Sequence, residues 1–199
     1  MADDAEDCLD CPWSERESEL LAITLELLQE RGYDRFSVEA VATRAKASKA
    51  TVYRRWPTKA DLVLAAFIEG TRSTASPPDT GSLRGDLMAI GLSTCEQALE
   101  HMRTMRAVLN EMSHSPALQE VMRQKFVLQR KVVIDNVLAD AVTRGEIAAC
   151  AIDDEIFDLL AGYLVFRALV SDRPPTAETV RIMVDDVLLP SLRAKSAGG

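Results

Sequence analysis

A chain of 199 residues can bury a core of its own, and an aromatic content of 5% beside 47% hydrophobic and 27% charged residues argues against a β-rich one. No apolar run reaches the roughly 18 to 20 residues of a membrane span, and the amino terminus is acidic where a signal peptide is basic, so a cytoplasmic protein with no membrane partner is expected. The net charge of −8 points away from polyanions only if the charge is evenly spread, and it is not.

Residues 1–13 read as an acidic tail, in which Cys8 and Cys11 form a single CxxC without the second pair or the histidines of a zinc site. A first helix is expected from about Ser14 to Arg31. Leu20, Leu21, Thr24, Leu27 and Leu28 form its inward stripe, and Gly32 is its stop. Ser37 is placed to cap a second helix that turns Val38, Val41, Ala42 and Ala45 to one side. After the short break Lys46-Ala47, Ser48 caps a third helix that must end near Trp56, because Pro57 follows. Thr58, with Asp61 three residues on, opens a fourth helix bearing Leu62, Val63, Ala66 and Phe67.

Here the charge inverts. Residues 1–30 carry ten acids against Arg16, whereas residues 31–60 carry eight bases against Asp34 and Glu39. Screening over about 8 to 10 Å makes distant acids nearly irrelevant to a polyanion held at that segment. The second and third helices meet the description of a helix-turn-helix, whose later helix enters the DNA major groove. Val52 and Trp56 can point back into the core, while Lys49, Ala50, Tyr53 and Arg54 make another face. Lys49 and Arg54 suit base edges or phosphates, Ala50 a thymine methyl, and Tyr53 a phosphate oxygen. Thr51 shares the opening turn with Ser48. Lys59 and Ser37, each at the start of a helix, are candidate phosphate clamps. Arg44 and Arg55 fit a solvated face equally well.

The stretch FSVEAVATRAKASKATVYRRWPTKADLVLAAF, Phe36 to Phe67, resembles the DNA-binding domain of tetracycline-repressor-like (TetR family) transcriptional regulators. The resemblance rests on Ser37, Val41-Ala42, Ser48, Thr51-Val52-Tyr53, Trp56 and Lys59-Ala-Asp-Leu62. Lys46-Ala47 stands where Gly-Val is usual at the turn, which strains the backbone if a positive φ is required there. Trp56 stands where phenylalanine is commoner. The resemblance implies an all-α protein with a DNA-binding domain over residues 14–75 and a ligand-binding and dimerisation domain over residues 82–193. It also implies a homodimer on double-stranded DNA, its last two long helices pairing with the partner's copies in a four-helix bundle.

The remaining sequence agrees with helices throughout. Loop formers fill residues 73–81, and helices are expected over about 85–101, 102–112, 117–143, 153–171 and 176–190, with Pro116, Gly145, Pro174-Pro175 and Pro190 at their limits. Residues 195–199 read as a frayed end. Ile156, Leu160, Tyr163, Leu164 and Arg167 form a wide stripe on one helix, with Leu159 beside them; Val180, Met183, Val184 and Val187, joined by Leu188, form one on the next. These are the candidate dimer interface. Met88, Leu92, Cys95, Met102, Met105, Leu109 and Met112, with Phe126 and Phe166 facing them, are candidates for a pocket that takes a small apolar ligand, and the same spacing also describes a plain core.

His101 and His114 have no cysteine or acid at metal-ligand spacing, so neither metal nor cofactor is expected. Cys95 and Cys150 leave a redox role open. No glycine-rich phosphate loop, GxSxG, HExxH or DxDxDG pattern occurs, which argues against an enzyme. The functional expectation is a ligand-responsive repressor, with a constitutive or architectural DNA-binding protein as the alternative.

Overall fold

The computed structural model describes residues 13–72, 77–152, 154–171 and 173–197. Among them every regular element is helical, and the chain divides after Gly70 into two compact units.

The first unit contains α1 (Glu15–Arg35), α2 (Val38–Arg44), α3 (Lys49–Arg55) and α4 (Lys59–Gly70). Local chemistry sets each boundary. The Ser14 hydroxyl accepts from the Glu17 N–H while the Glu17 carboxylate accepts from the Ser14 N–H, a reciprocal cap that opens α1. Gly32, at φ 71°, interrupts the helical path where a stop was expected, and a last turn carries the chain to Phe36. Ser37 and Ser48 accept from the N–H groups of Ala40 and Thr51. Thr58 and Asp61 exchange hydrogen bonds at the head of α4. The expected inward residues Leu20, Leu21, Thr24, Leu27, Leu28, Val38, Val41, Ala42, Ala45, Val52, Trp56, Leu62, Val63, Ala66 and Phe67 are all buried. α1 packs against α4 and α2.

The second unit contains α5 (Leu83–Met112), α6 (Pro116–Met122), α7 (Leu128–Thr143), α8 (Asp154–Leu169), α9 (Ala177–Ile182) and α10 (Leu189–Ala197). π-helical turns at Arg123–Val127 and Met183–Leu188 join α6 to α7 and α9 to α10. α5 is its axis, packed on α6, α7, α8 and α9. Gly91 permits the last of these contacts, since a Cβ there would lie 2.4 Å from Val180 Cγ1. The core gathers Leu83, Leu87, Cys95, Ile134, Val137, Leu138, Ile156, Leu160, Leu164, Val180, Val184 and Leu188.

Three boundaries differ from the sequence expectation. The helices expected over 85–101 and 102–112 are one 30-residue helix, because no glycine or proline lies between Gly91 and Pro116 to end it. Pro190 does not stop the last helix: the π turn immediately before it widens the backbone at the carbonyl that the proline ring would otherwise strike. The end expected to fray from Lys195 is docked. Ser196 Oγ accepts from the Ala148 N–H at 2.9 Å and donates to the Leu192 carbonyl at 2.8 Å. The tail carrying Cys8 and Cys11 lies outside the described residues.

Candidate nucleic-acid interface and the C-terminal unit

Val52 and Trp56 anchor α3 inward, and this fixes which side faces out. Lys49, Ala50, Tyr53 and Arg54 are exposed on that outer side, so the structure brings together the residues expected to meet DNA. Arg54 makes no hydrogen bond or ion pair among the described residues. Lys49 is held by Glu39 of α2 and lies 5.5 Å from the Tyr53 ring centroid. The hydrogen bond to Glu39 raises the Lys49 pKa and lowers that of the carboxylate. Both partners are about half exposed, so water screens the pair and a phosphate can displace the carboxylate. The Ser48 and Thr51 hydroxyls lie 2.8 Å apart at the head of α3. Ser37 sits half-buried at the head of α2.

The turn between α2 and α3 takes the conformation the missing glycine would have eased. Lys46 has φ 49°, the only non-glycine residue with positive φ among those described. Its neighbour Ala45 accepts a hydrogen bond through its carbonyl from Arg16 of α1, which braces the turn from behind.

Three of the eight bases in this segment turn out to be structural. Arg44 makes a two-pronged pair with Glu30 at 2.9 Å for each bond. Arg55 bonds Glu17 at 2.6 Å and lies 4.8 Å from the Trp13 ring, which in turn packs on Trp56 at 5.8 Å. Lys59, expected as a phosphate clamp, is engaged within its own unit. Its ammonium donates to the Tyr33 carbonyl at 2.6 Å and sits 4.1 Å from the Tyr33 ring, where it caps the last turn of α1. The partners of Arg44, Arg55 and Lys59 lie 14, 38 and 26 residues away, and no local pattern announces pairings at such separations.

In the second unit the expected residues divide. Cys95 is buried, and burial pushes its thiol up to about 11, so it behaves as a small hydrophobe. Cys150 is exposed. Met88, Leu92, Met102, Met105 and Met112 are half-buried along α5. Phe126 is half-buried beneath the Arg130 guanidinium. Leu109 and Phe166 are exposed, Phe166 by 53%, and do not join an interior layer of this chain.

The residues expected at the interface divide as well. Ile156, Leu160, Leu164, Val180, Met183 and Val184 belong to the interior of their own unit. Tyr163 and Arg167 are half-buried, and Arg167 Nη1 donates to the Tyr163 hydroxyl at 3.4 Å. The opposite side of α8 exposes Leu159, Val165 and Phe166, with Val170 just beyond its end. Ile182 and Val187 are exposed on the adjoining segment, which packs against α8. Of the residues expected at the interface, Val187 and its companion Leu159 are on this surface.

Among the described residues no helix is long and apolar enough to cross a membrane, and no group of three acidic, histidine or cysteine side chains is placed to hold a metal.

A short capped helix with an outward basic and aromatic face, followed by a separate helical unit, defines a helix-turn-helix regulator. Residues 20–66 match the model for bacterial regulatory proteins of the tetR family, and residues 77–187 match the tetracyclin repressor-like C-terminal domain. The chain belongs to the TetR family of DNA-binding transcriptional regulators. It is 60% identical over 181 residues to an uncharacterized HTH-type transcriptional regulator of Mycobacterium tuberculosis, covering 91% of this chain and 90% of that protein. It is 34% identical over 180 residues to the DNA-binding transcriptional repressor TetR of Mycobacteroides abscessus, covering 89% and 94%. The crystal structure of the TetR family transcription regulator SCO0332 superimposes with a TM-score of 0.76 at 28% identity, covering 88% of this chain and 97% of that one.

Proposed function

We propose that the protein is a cytoplasmic homodimeric repressor that binds a near-palindromic operator and leaves it when a small apolar effector occupies the C-terminal unit. The observation that carries this reading is the outward face of α3, where Lys49, Ala50, Tyr53 and Arg54 stand together while Val52 and Trp56 hold the helix in place. Arg54 and Lys49 read base edges or phosphates, Ala50 meets a thymine methyl, and Tyr53 donates to a phosphate. Ser37, Ser48 and Thr51 present hydroxyls at helix starts, where backbone N–H groups favour phosphate. Lys59 positions this face through Tyr33 and does not clamp the backbone itself.

Dimerisation uses the exposed side of α8 and the adjoining segment, with Leu159, Phe166, Val170, Ile182 and Val187 meeting their copies in a four-helix bundle. Two recognition helices then lie about one DNA turn apart, roughly 34 to 36 Å. Effector release follows from linkage: a ligand that binds best to a conformation with the wrong helix spacing lowers operator affinity, and operator lowers ligand affinity by the same factor. The M. abscessus relative is named a repressor, which supports that sign of regulation.

The test is recovery of bound fragments from sheared genomic DNA at physiological salt with native protein and a Tyr53→Ala, Arg54→Ala variant. The expected result is one enriched palindrome, lost in the variant. Random fragments from both proteins would overturn the reading.

A further inference from the structure

Trp13 fastens the amino-terminal end of α1 to the recognition helix. Its ring packs on Trp56, at the end of α3, with centroids 5.8 Å apart, and the Arg55 guanidinium lies 4.8 Å from it. One helical turn on, Glu17 accepts from Arg55 at 2.6 Å, and Arg16 donates to the Ala45 carbonyl in the turn before α3. The start of α1 is thereby held to both ends of α3, and the residues that precede it join the first unit beside that helix. The indole N–H groups of Trp13 and Trp56 are buried and have no acceptor among the described residues, so two donors remain open at the anchor.

Those preceding residues, 1–12, carry Asp3, Asp4, Glu6, Asp7 and Asp10 and no lysine or arginine. The outer side of α3 carries the opposite charge. Arg54, and Lys46 in the turn before the helix, are exposed and have no side-chain hydrogen bond or ion pair among the described residues. Lys49 already takes the carboxylate of Glu39, so this surface accepts acids of its own chain. Reach is no obstacle: twelve residues extend up to about 40 Å, whereas the seven residues of α3 rise about 10 Å. A tether this short holds the segment at an effective concentration on the order of millimolar, at which even weak pairing is populated.

We propose that residues 1–12 lie across the outer face of α3 in the DNA-free protein, pair their carboxylates with Lys46, Lys49 and Arg54, and must be displaced before a duplex binds. This rests on the reading of α3 as the DNA-contacting helix and adds a built-in competitor to it. The segment is a polyanion of this chain standing in for the phosphate backbone. It lowers affinity for every duplex alike, and because it acts on the free protein it leaves the preference for operator over other sequences unchanged. Added salt weakens the internal pairs, so the handicap fades as ionic strength rises.

The experiment compares the native full-length protein with a variant whose acids in this segment are neutralised, Asp3→Asn, Asp4→Asn, Glu6→Gln, Asp7→Asn and Asp10→Asn, which keeps its length. Two readouts are taken: affinity for a random-sequence duplex of about 30 base pairs, and, without DNA, the backbone amide resonances of the first unit by NMR. At about 50 mM salt the variant is expected to bind the duplex roughly five- to twentyfold more tightly, and at about 400 mM the two proteins should agree within about twofold. In the DNA-free protein the amides of Lys46, Lys49, Tyr53 and Arg54 should shift between native and variant at the lower salt. Equal affinities at low salt would overturn the competition. Tighter binding with those resonances unmoved would assign the gain to repulsion between the segment and the duplex, and would overturn the docked state. Shifts at α3 together with no duplex binding by either protein would support the docked segment and remove the DNA reading of α3 instead.

Discussion

Lys59 Nζ donates to the backbone carbonyl of Tyr33 at 2.6 Å, and the Tyr33 ring centroid lies 4.1 Å from the same ammonium. The carbonyl belongs to the last turn of α1 and also accepts from the Phe36 N–H, so the start of α4 helps to close the end of α1. Lys59→Ala is expected to destabilise the first unit by about 1–2 kcal/mol, the worth of a hydrogen bond to a charged group less some solvent screening. Urea unfolding followed by circular dichroism measures this. If Lys59 were a phosphate clamp instead, the variant would keep its stability and show a salt dependence of operator binding shallower by about one unit.

Lys46 stands at φ 49° between α2 and α3. A side chain in this region costs about 1–2 kcal/mol per residue in repeated left-handed structure and less at an isolated turn. Lys46→Gly relieves that cost but gives the unfolded chain more freedom, and the net expectation is a gain of roughly 0.5 kcal/mol. The urea midpoint should rise with no change in slope. A fall would mean that the Lys46 side chain makes contacts worth more than the strain.

The first unit was legible because its signals are local. Ser14, Ser37, Ser48 and Thr58 each cap a helix within three residues of themselves, and Gly32 and Pro57 interrupt the chain where they stand. The recognition face followed from the period of α3, since Val52 and Trp56 leave one side free. The partners of Arg44, Arg55 and Lys59 were not legible, being contacts of the folded unit. α8 misled for a different reason. Beyond Asp158 its one charged residue is Arg167, so the stripe Ile156, Leu160, Leu164 and the stripe Leu159, Phe166 look alike until α5 is seen covering the first. Pro190 misled because a π turn accommodates a proline that a regular helix would not.

Phe166 and Val170 are 53% and 70% exposed. Water is a poor neighbour for side chains of this size, and burial against a second copy favours association by about 1.5–3 kcal/mol for each fully covered side chain. Phe166→Asp with Val170→Asp is expected to convert dimer to monomer in sedimentation or light scattering and to leave each chain helical, because neither residue supports its own unit. The paired change Ile156→Asp, Leu160→Asp should unfold the second unit. A native protein that is monomeric at micromolar concentration would remove this face as a dimer surface.

His101 is 4% exposed on α5, and desolvation holds its imidazole below the usual pKa of 6.5, with the nearby Glu100 opposing the shift only in part. The folded state therefore binds this proton less readily than the unfolded chain. Between the folded pKa and about 6.5 the unfolded state carries more protons, and stability rises with pH through that window. The contribution is fully present above pH 6.5 and is lost as pH falls through the folded value. The titration of ordinary carboxylates lies lower, near pH 4. Urea unfolding at steps from pH 7.5 to 5 should show stability declining below about 6.5, and His101→Gln should flatten the decline. An unchanged slope in the variant would assign the decline to other groups.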